Sequence, residues 1–254
     1  MKTNKNLEKK SKCIHRAPTQ NSFKKTALTA ALFGILMLYI CSCCTDKINS
    51  TETLMKEISS RYNGKWFTEI KFSQITDNYD NDSLIKSEIW DEIYTFPNNL
   101  IIYITPGDTS NKYIFKNDTF IIYENNELIS EKKVVHDAVV LSMDIYNMNY
   151  TDIMKRWKDL PYNTDKFHEI MDNGKKVYVI GADKGDTISN QVWFDAEHLY
   201  FIKLIKQTEK GTRENCFLNY IQLDDKGWIE QEVIFKLNGK VYMREEYFNI
   251  QVIK

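Results

Sequence analysis

Residues 112–135, KYIFKNDTFIIYENNELISEKKVV, decide the fold class. Three runs rich in β-branched and aromatic residues, KYIF (112–115), TFIIYE (119–124) and ELISEKKVV (127–135), are separated by Asn117-Asp118 and Asn125-Asn126. Asparagine and aspartate tolerate the left-handed backbone that a two-residue hairpin demands, so each pair reads as a tight turn between antiparallel strands. Runs this close together leave no room for parallel crossover connections.

The pattern extends both ways. Upstream lie KWFTEIKFSQI (65–75), with Trp66, Ile70 and Phe72 on one face, the turn-rich DNYDND (77–82), LIKSEIWDEIYTF (84–96) and LIIYI (100–104). The β pattern breaks from His136 to about residue 165, where HDAVVLSMDIYN and TDIMKRWKDL read as helices. The second carries Ile153, Met154, Trp157 and Leu160 on one stripe and is stopped by Pro161. Strands resume with KKVYVIGA (175–182), NQVWFD (190–195), LYFIKLIKQT (199–208), ENCFLNYIQL (214–223), IEQEVIFKL (229–237) and KVYMREEYFNIQVI (240–253). Asn238-Gly239 is the strongest hairpin signal in the chain. In front, TETLMKEISSRY (51–62) places Leu54, Ile58 and Tyr62 at helical spacing, and Gly64 ends it. The reading is a mainly β, α+β domain over residues 51–254, with no linker and no repeat. About eleven strands, thirteen at most, form one antiparallel sheet. Open twisted sheets rarely exceed about ten strands, so this one should curl into an incomplete barrel, with an N-terminal helix and a central helical lid.

Composition excludes several classes. With 43% apolar and 13% aromatic residues in 254, the chain is no disordered polymer, and 9 Gly with 4 Pro rule out collagen-like or low-complexity sequence. Eight of the 34 basic residues and one of the 35 acidic ones fall in residues 1–42, which leaves 26 basic against 34 acidic, a net of −8, in the remainder. Such a remainder has no basic face for nucleic acid.

Residues 1–26 are polar and basic, and ALTAALFGILMLYI (27–40) carries no charge. Fourteen residues at 1.5 Å each span about 21 Å, short of a membrane crossing, so the segment reads as a secretory signal peptide. Ile40-Cys41-Ser42-Cys43 resembles a bacterial lipobox, with a branched residue three positions before, and a small one directly before, the cysteine to be acylated. Cys41 and Cys44 compete with Cys43 but fit less well: Cys41 follows Ile40, and Cys44 would have cysteine at both flanking positions. The expectation is a signal peptide over 1–42, then an acylated tether over 43–50 carrying a diacylglycerol and a palmitate-type chain on Cys43. Each buried methylene contributes roughly 0.8 kcal/mol, so two or more chains anchor the protein to the membrane. Only Cys216 remains beyond this region, which leaves no disulfide framework.

Catalytic and metal motifs are weak. His168-Glu169-Ile170-Met171-Asp172 lacks the second histidine of a zincin helix, and the acidic run 77–82 lacks the glycine and distal glutamate of a calcium loop. Gly181 to Asp186 lies between two strand patterns and reads as a wide hairpin rather than a phosphate loop. His198 fits an exposed turn, and His136-Asp137 a helix start. The pairs Asp91/Glu92 and Glu245/Glu246 point to opposite faces of their strands and make no acid–base dyad. No metal, cofactor or catalytic residue is assigned.

Three stretches together carry a family resemblance: RYNGKWFTEIKFSQIT (61–76) followed by Trp90-Asp91-Glu92, the hairpin QVWFDAEHLYFIKL (191–204), and the closing pair GWIEQEVIFKLNGKVYMREEYFNIQVI (227–253). In order and spacing they resemble the LolA/LolB-type lipoprotein-localisation fold of Gram-negative envelopes. The lipobox is similar to that of the membrane-anchored receptor type, and the Tyr/Asn/Lys/Ile-rich composition suits a Bacteroidetes-type member. The resemblance implies a half-barrel, lidded by helices, that binds lipid or lipoprotein acyl chains without catalysis. Trp66, Ile70, Phe72, Trp90, Trp193, Ile202, Leu204, Val233 and Phe235 would line the hollow, and Ile153, Met154, Trp157 and Leu160 would close it. It implies a monomer at the outer membrane, on the periplasmic or the surface face. The same aromatic residues also fit a filled core of a structural or interaction lipoprotein, and sequence does not separate the two.

Overall fold

The computed structural model describes residues 47–254. The expected signal segment 1–42, the expected acylation site Cys43 and the first part of the predicted tether lie outside the described residues. Among the described residues no helix is long and apolar enough to cross a membrane.

Helix α1 (Thr51–Tyr62) starts where Ser50 and Thr53 cap each other: the Ser50 hydroxyl accepts from the Thr53 amide at 3.1 Å, and Thr53 Oγ1 accepts from the Ser50 amide at 3.0 Å. It buries Leu54, Met55 and Ile58 completely and ends at Gly64, whose φ of +76° is the left-handed turn such ends favour. Strands β1 (Glu69–Asp80), β2 (Ser83–Thr95), β3 (Asn99–Tyr103), β4 (Lys112–Lys116), β5 (Thr119–Glu124) and β6 (Glu127–Lys133) follow as a meander. The helical interruption is α2 (Asp137–Ser142), a 3-10 turn (Asp144–Asn147) and α3 (Tyr150–Trp157). Then come β7 (Phe167–Asp172), β8 (Lys175–Ile180), β9 (Gln191–Asp195), β10 (Phe201–Thr208) and β11 (Gly211–Leu218). A small ribbon of β12 (Ile221–Gln222) and β13 (Trp228–Ile229) precedes β14 (Glu232–Leu237) and β15 (Lys240–Val252).

Thirteen strands form one antiparallel sheet in the order β6-β5-β4-β3-β2-β1-β15-β14-β11-β10-β9-β8-β7. The sheet does not close; β6 and β7 are its free edges. The C-terminal strand β15 joins the halves by pairing with both β1 and β14. Five hairpins turn on Asn81-Asp82, Asn117-Asp118, Asn125-Asn126, Asn173-Gly174 and Asn238-Gly239, and in each pair both residues have positive φ. That is the type I′ geometry whose twist matches the flanking strands.

The strands differ from the sequence reading in four places. IEQEVIFKL (229–237) is divided at Glu230-Gln231 between β13 of the small ribbon and β14 of the main sheet. HEIMD, weighed against a zincin helix, belongs to edge strand β7. DNYDND is no loop: β1 runs on to Asp80, beyond the core, where both strand faces are polar. ENCFLNYIQL is broken at Asn219, with φ +56°, and divides into β11 and β12.

One hydrophobic core joins the concave face of the sheet to the helices. The Tyr146 hydroxyl donates to the Leu199 carbonyl and accepts from the Phe201 amide at 2.8 Å, tying the 3-10 turn to β10. Trp157 Nε1 meets Met55 Sδ at 3.1 Å, joining α3 to α1.

Candidate functional site

Residues paired across a ladder share a face of the sheet. On the concave side this places Trp90 and Glu92 of β2, Ile102 of β3, Tyr113 and Phe115 of β4, and Phe120 of β5 along one half. Phe217 and Asn215 of β11, Phe235 of β14, and Met243, Glu245 and Tyr247 of β15 stand on the other. Between them lies a chamber of about 240 Å³, roofed by Ala138, Val139, Ser142 and Met143. It adjoins a second space of about 320 Å³, bounded by Val134, Val135, Leu204 and Lys206, with which it shares Phe115, Phe120, His136, Arg213 and Asn215. Phe115 stacks on Phe120 at 4.4 Å, and His136 packs edge-on against Phe115 at 4.3 Å.

The roof is anchored by its own start. His136 caps α2, its Nδ1 accepting from the Val139 amide at 3.2 Å, and burial pulls the imidazole pKa down to about 4, so the ring is neutral. The next residue, Asp137, accepts from the Tyr162 hydroxyl at 2.9 Å and from Lys206 Nζ at 2.7 Å.

Three carboxyl groups enter the chamber from separate positions: Glu92, Glu230 in the link from β13 to β14, and Glu245. They are 6%, 3% and 8% exposed. Among the described residues no lysine, arginine or histidine forms an ion pair with any of them. Burial pushes Glu92 well above the usual carboxylate range, and the neighbouring Glu245 and Glu230 push it further. Burial raises Glu230 to about 7, against the pull of its backbone hydrogen bond and of Tyr220. Burial likewise lifts Glu245 to about 7, although the Tyr247 hydroxyl donates to its Oε2 at 3.1 Å. Arg213 is the sole arginine or lysine lining the chamber, and its Nε donates to Asn215 Oδ1 at 3.1 Å. Asn215 Nδ2, Trp90 Nε1 and Gln74 Oε1 are buried without a hydrogen-bond partner among the described residues.

Of the nine predicted lining residues, Trp90 and Phe235 line the chamber and Leu204 lines the adjoining space. Ile70, Phe72 and Val233 also face inward but are packed in the core. Trp66 lies in the link from α1 to β1, stacked on Tyr146 at 4.1 Å. Trp193 is on the opposite face, where Lys203 Nζ sits 3.8 Å over its ring, and Ile202 sits at a bulge in β10. The predicted lid stripe is buried at Ile153, Trp157 and Leu160 and half-buried at Met154. It packs toward α1, while Arg156 grips both carboxylate oxygens of Asp118 in the β4–β5 turn. The helix over the chamber is α2.

Sequence reasoning missed Glu92 and Glu245 because it compared neighbours within one strand, and Glu230 because it reads as part of the strand pattern 229–237. Asp91 and Glu246 do point outward; Glu92 and Glu245 meet across the sheet. The signal was their phase: Glu92 alternates in step with Trp90 and Tyr94, and Glu245 with Met243 and Tyr247. A wider depression of about 630 Å³ lies among the outward-facing Lys71, Ser73, Asp91, Ile93 and Tyr103 and is open to solvent. No group of His, Cys, Asp and Glu among the described residues could hold a metal ion.

No protein-family profile matches the chain, and no curated protein matches it by sequence. Solved structures do match. A protein of the DUF1329 family from Desulfovibrio piger superposes over 80% of this chain and 92% of its own, with a TM-score of 0.52 and 10% identity. A protein from Vibrio parahaemolyticus described as an outer membrane lipoprotein-sorting protein domain covers 81% of this chain and 92% of its own, with a TM-score of 0.53 and 15% identity. With the unclosed antiparallel sheet and its helices on the concave side, this chain has a LolA/LolB-like fold.

Proposed function

We propose that this protein is a non-catalytic lipoprotein of a Gram-negative envelope, anchored at the outer membrane through acyl chains on Cys43. Its half-barrel takes up the apolar chain of a lipid or of an acylated protein. The observation that carries this reading is the aromatic-walled chamber under α2, continued by a second space toward the unclosed side of the sheet. The chamber alone is smaller than the roughly 300–1,000 Å³ of ordinary ligand sites, and the adjoining space lies at the lower end of that range. Each methylene moved from water into such walls contributes about 0.8 kcal/mol, so an acyl chain binds there without polar recognition along its length. The fold, and its likeness to the Vibrio outer membrane lipoprotein-sorting protein domain, support the same reading.

Native mass spectrometry of the mature chain, extracted from membranes in detergent, tests it. The expected result is a Cys43-linked acyl mass that Cys43→Ser abolishes, and a separate non-covalent lipid adduct. Val139→Trp, which fills the chamber from its roof, should remove the adduct, whereas Trp193→Ala on the opposite face should keep it; far-UV circular dichroism checks that both are folded. A bare chain that neither added phospholipid nor acylated peptide shifts would refute the reading and leave an interaction lipoprotein with a filled core.

A further inference from the structure

We propose that the chamber receives a cationic head, a protonated amine with a neighbouring oxygen, on Glu92, Glu230 and Glu245. This rests on the reading that the chamber is a ligand site, and it adds the chemistry of the ligand's head. Three carboxyl groups from β2, from the link before β14 and from β15 line one chamber, against the single guanidinium of Arg213. The other charged and titratable groups nearby do not balance them. Lys206 is on the adjoining space and bonded to Asp137, while His136 is held neutral at the roof by its cap. Tyr113 and Tyr247 contribute only hydroxyls. An unpaired buried carboxylate is among the most expensive groups a core can hold, and apolar residues of similar volume would relieve that cost. A bound cation relieves it as well.

The walls and the unsatisfied atoms point the same way. Trp90, Phe120, Phe217 and Phe235 surround the acids with aromatic rings, whose faces attract ammonium groups. Asn215, completely buried, and Trp90 present donors without acceptors. An oxygen next to the amine, as in an amino alcohol or an aminoacyl group, supplies the acceptor. The apolar chain then runs toward Val134, Val135 and Leu204. A fatty-acid head would instead place a fourth acid beside three others and one arginine. Because burial holds Glu230 and Glu245 near pH 7, binding an amine displaces protons from the carboxyls and strengthens as pH rises. An alkylamine of pKa roughly 10 stays charged across that window.

Calorimetry of the mature chain with dodecylammonium, dodecanol and dodecanoate, below their micelle concentrations, tests the inference. Dodecylammonium should bind at least tenfold tighter than dodecanol at pH 8, with a smaller advantage at pH 6, and dodecanoate should bind weakest. The double variant Glu230→Gln/Glu245→Gln, isosteric and without those two carboxylates, should lose most of the amine's advantage and keep its affinity for dodecanol. Equal binding of the three probes, or an amine advantage that survives the double variant, would overturn the cationic head while leaving the chamber a chain-binding site. Binding of none would overturn the chamber reading too.

Discussion

Replacing Glu230 by glutamine changes how stability depends on pH, and the size follows from where the carboxyl sits. Glu230 is 3% exposed and has no charged partner, so burial raises its pKa from 4.5 to about 7. The folded chain therefore holds a proton that the unfolded chain has already released. The resulting stability is fully present below pH 4.5 and is lost as pH climbs to about 7, then changes no further. At 1.36 kcal/mol per pKa unit the loss is about 3 kcal/mol. Glutamine carries no titrating proton, so Glu230→Gln should gain about 2.5 kcal/mol on the parent chain between pH 5 and pH 8. Glu92 and Glu245 add to the gain in the same direction, because each is raised in part by Glu230. His136 acts oppositely, losing stability as pH falls below 6.5, but both chains share it and it cancels in the difference. Guanidinium titrations at half-unit pH steps measure this difference directly. A gap that stays constant from pH 5 to pH 8 would refute the reasoning, since it would mean that the carboxyl is solvated or paired.

Three further perturbations test other parts of the fold. A Cβ at Gly227 would lie 2.4 Å from the Trp66 ring, at a φ of +100°, whereas Gly64 has a positive φ and open space. Gly227→Ala should therefore cost about 2–4 kcal/mol, against about 1 for Gly64→Ala; equal falls in melting temperature would show that Trp66 moves aside freely. Tyr94→Phe removes the hydroxyl that donates to Asp144 Oδ1 at 2.6 Å and leaves the Asn98 amide as its donor. Burial already lifts Asp144 to about 6, so the loss, about 1–3 kcal/mol, should be larger at pH 8, where the acid must ionise, than at pH 5; a pH-independent cost would count against it. Arg156→Ala should cost about 1 kcal/mol, because Asp118 is 37% exposed and solvent screens the pair. A double-mutant cycle with Asp118→Asn should show coupling, and strict additivity would mean that the two residues act apart.

Much of this fold is legible in the sequence because its hairpins are written in asparagine. Asn117-Asp118, Asn125-Asn126 and Asn238-Gly239 mark their turns without tertiary help, since few other residues accept two consecutive left-handed conformations. Strand β7 was not legible: as an edge strand it buries little, and His168, Glu169 and Met171 give no clear alternation. The end of β1 was missed for a related reason: Asp77, Asn78 and Asp80 read as a turn, although they continue the strand beyond the core. At the site, the strands carrying Trp90 and Phe235 were found, because large apolar residues in strand phase declare the inner face. Trp193 was misplaced by one residue of register: Val192 and Phe194 beside it take the inner face, and a single step moves a side chain through the sheet. The roof was assigned to α3, whose stripe is strong, but that stripe is used against α1. Nothing in α2 alone says that it covers a chamber.

The glutamates explain why there is a chamber at all. A concave face with Trp90, Tyr113, Phe120, Phe217 and Phe235 could collapse into a dry aromatic core, as its neighbours at Ile70 and Val233 do. Glu92 and Glu245 occupy inward strand positions where an apolar side chain would complete that core. Without a cationic partner they oppose closure, because drying the space further would raise the cost of three carboxyls already at 3–8% exposure. The roof resists closure from its own side. Helix α2 has six residues, capped by His136 and held through Asp137 to Tyr162 and Lys206, so it is fixed at the end nearest the adjoining space. A local choice that conflicts with the surrounding core, maintained by specific bonds, marks a position shaped by something other than stability. Here that conflict coincides with the strand phase, the unclosed side of the sheet and the unsatisfied atoms of Trp90 and Asn215.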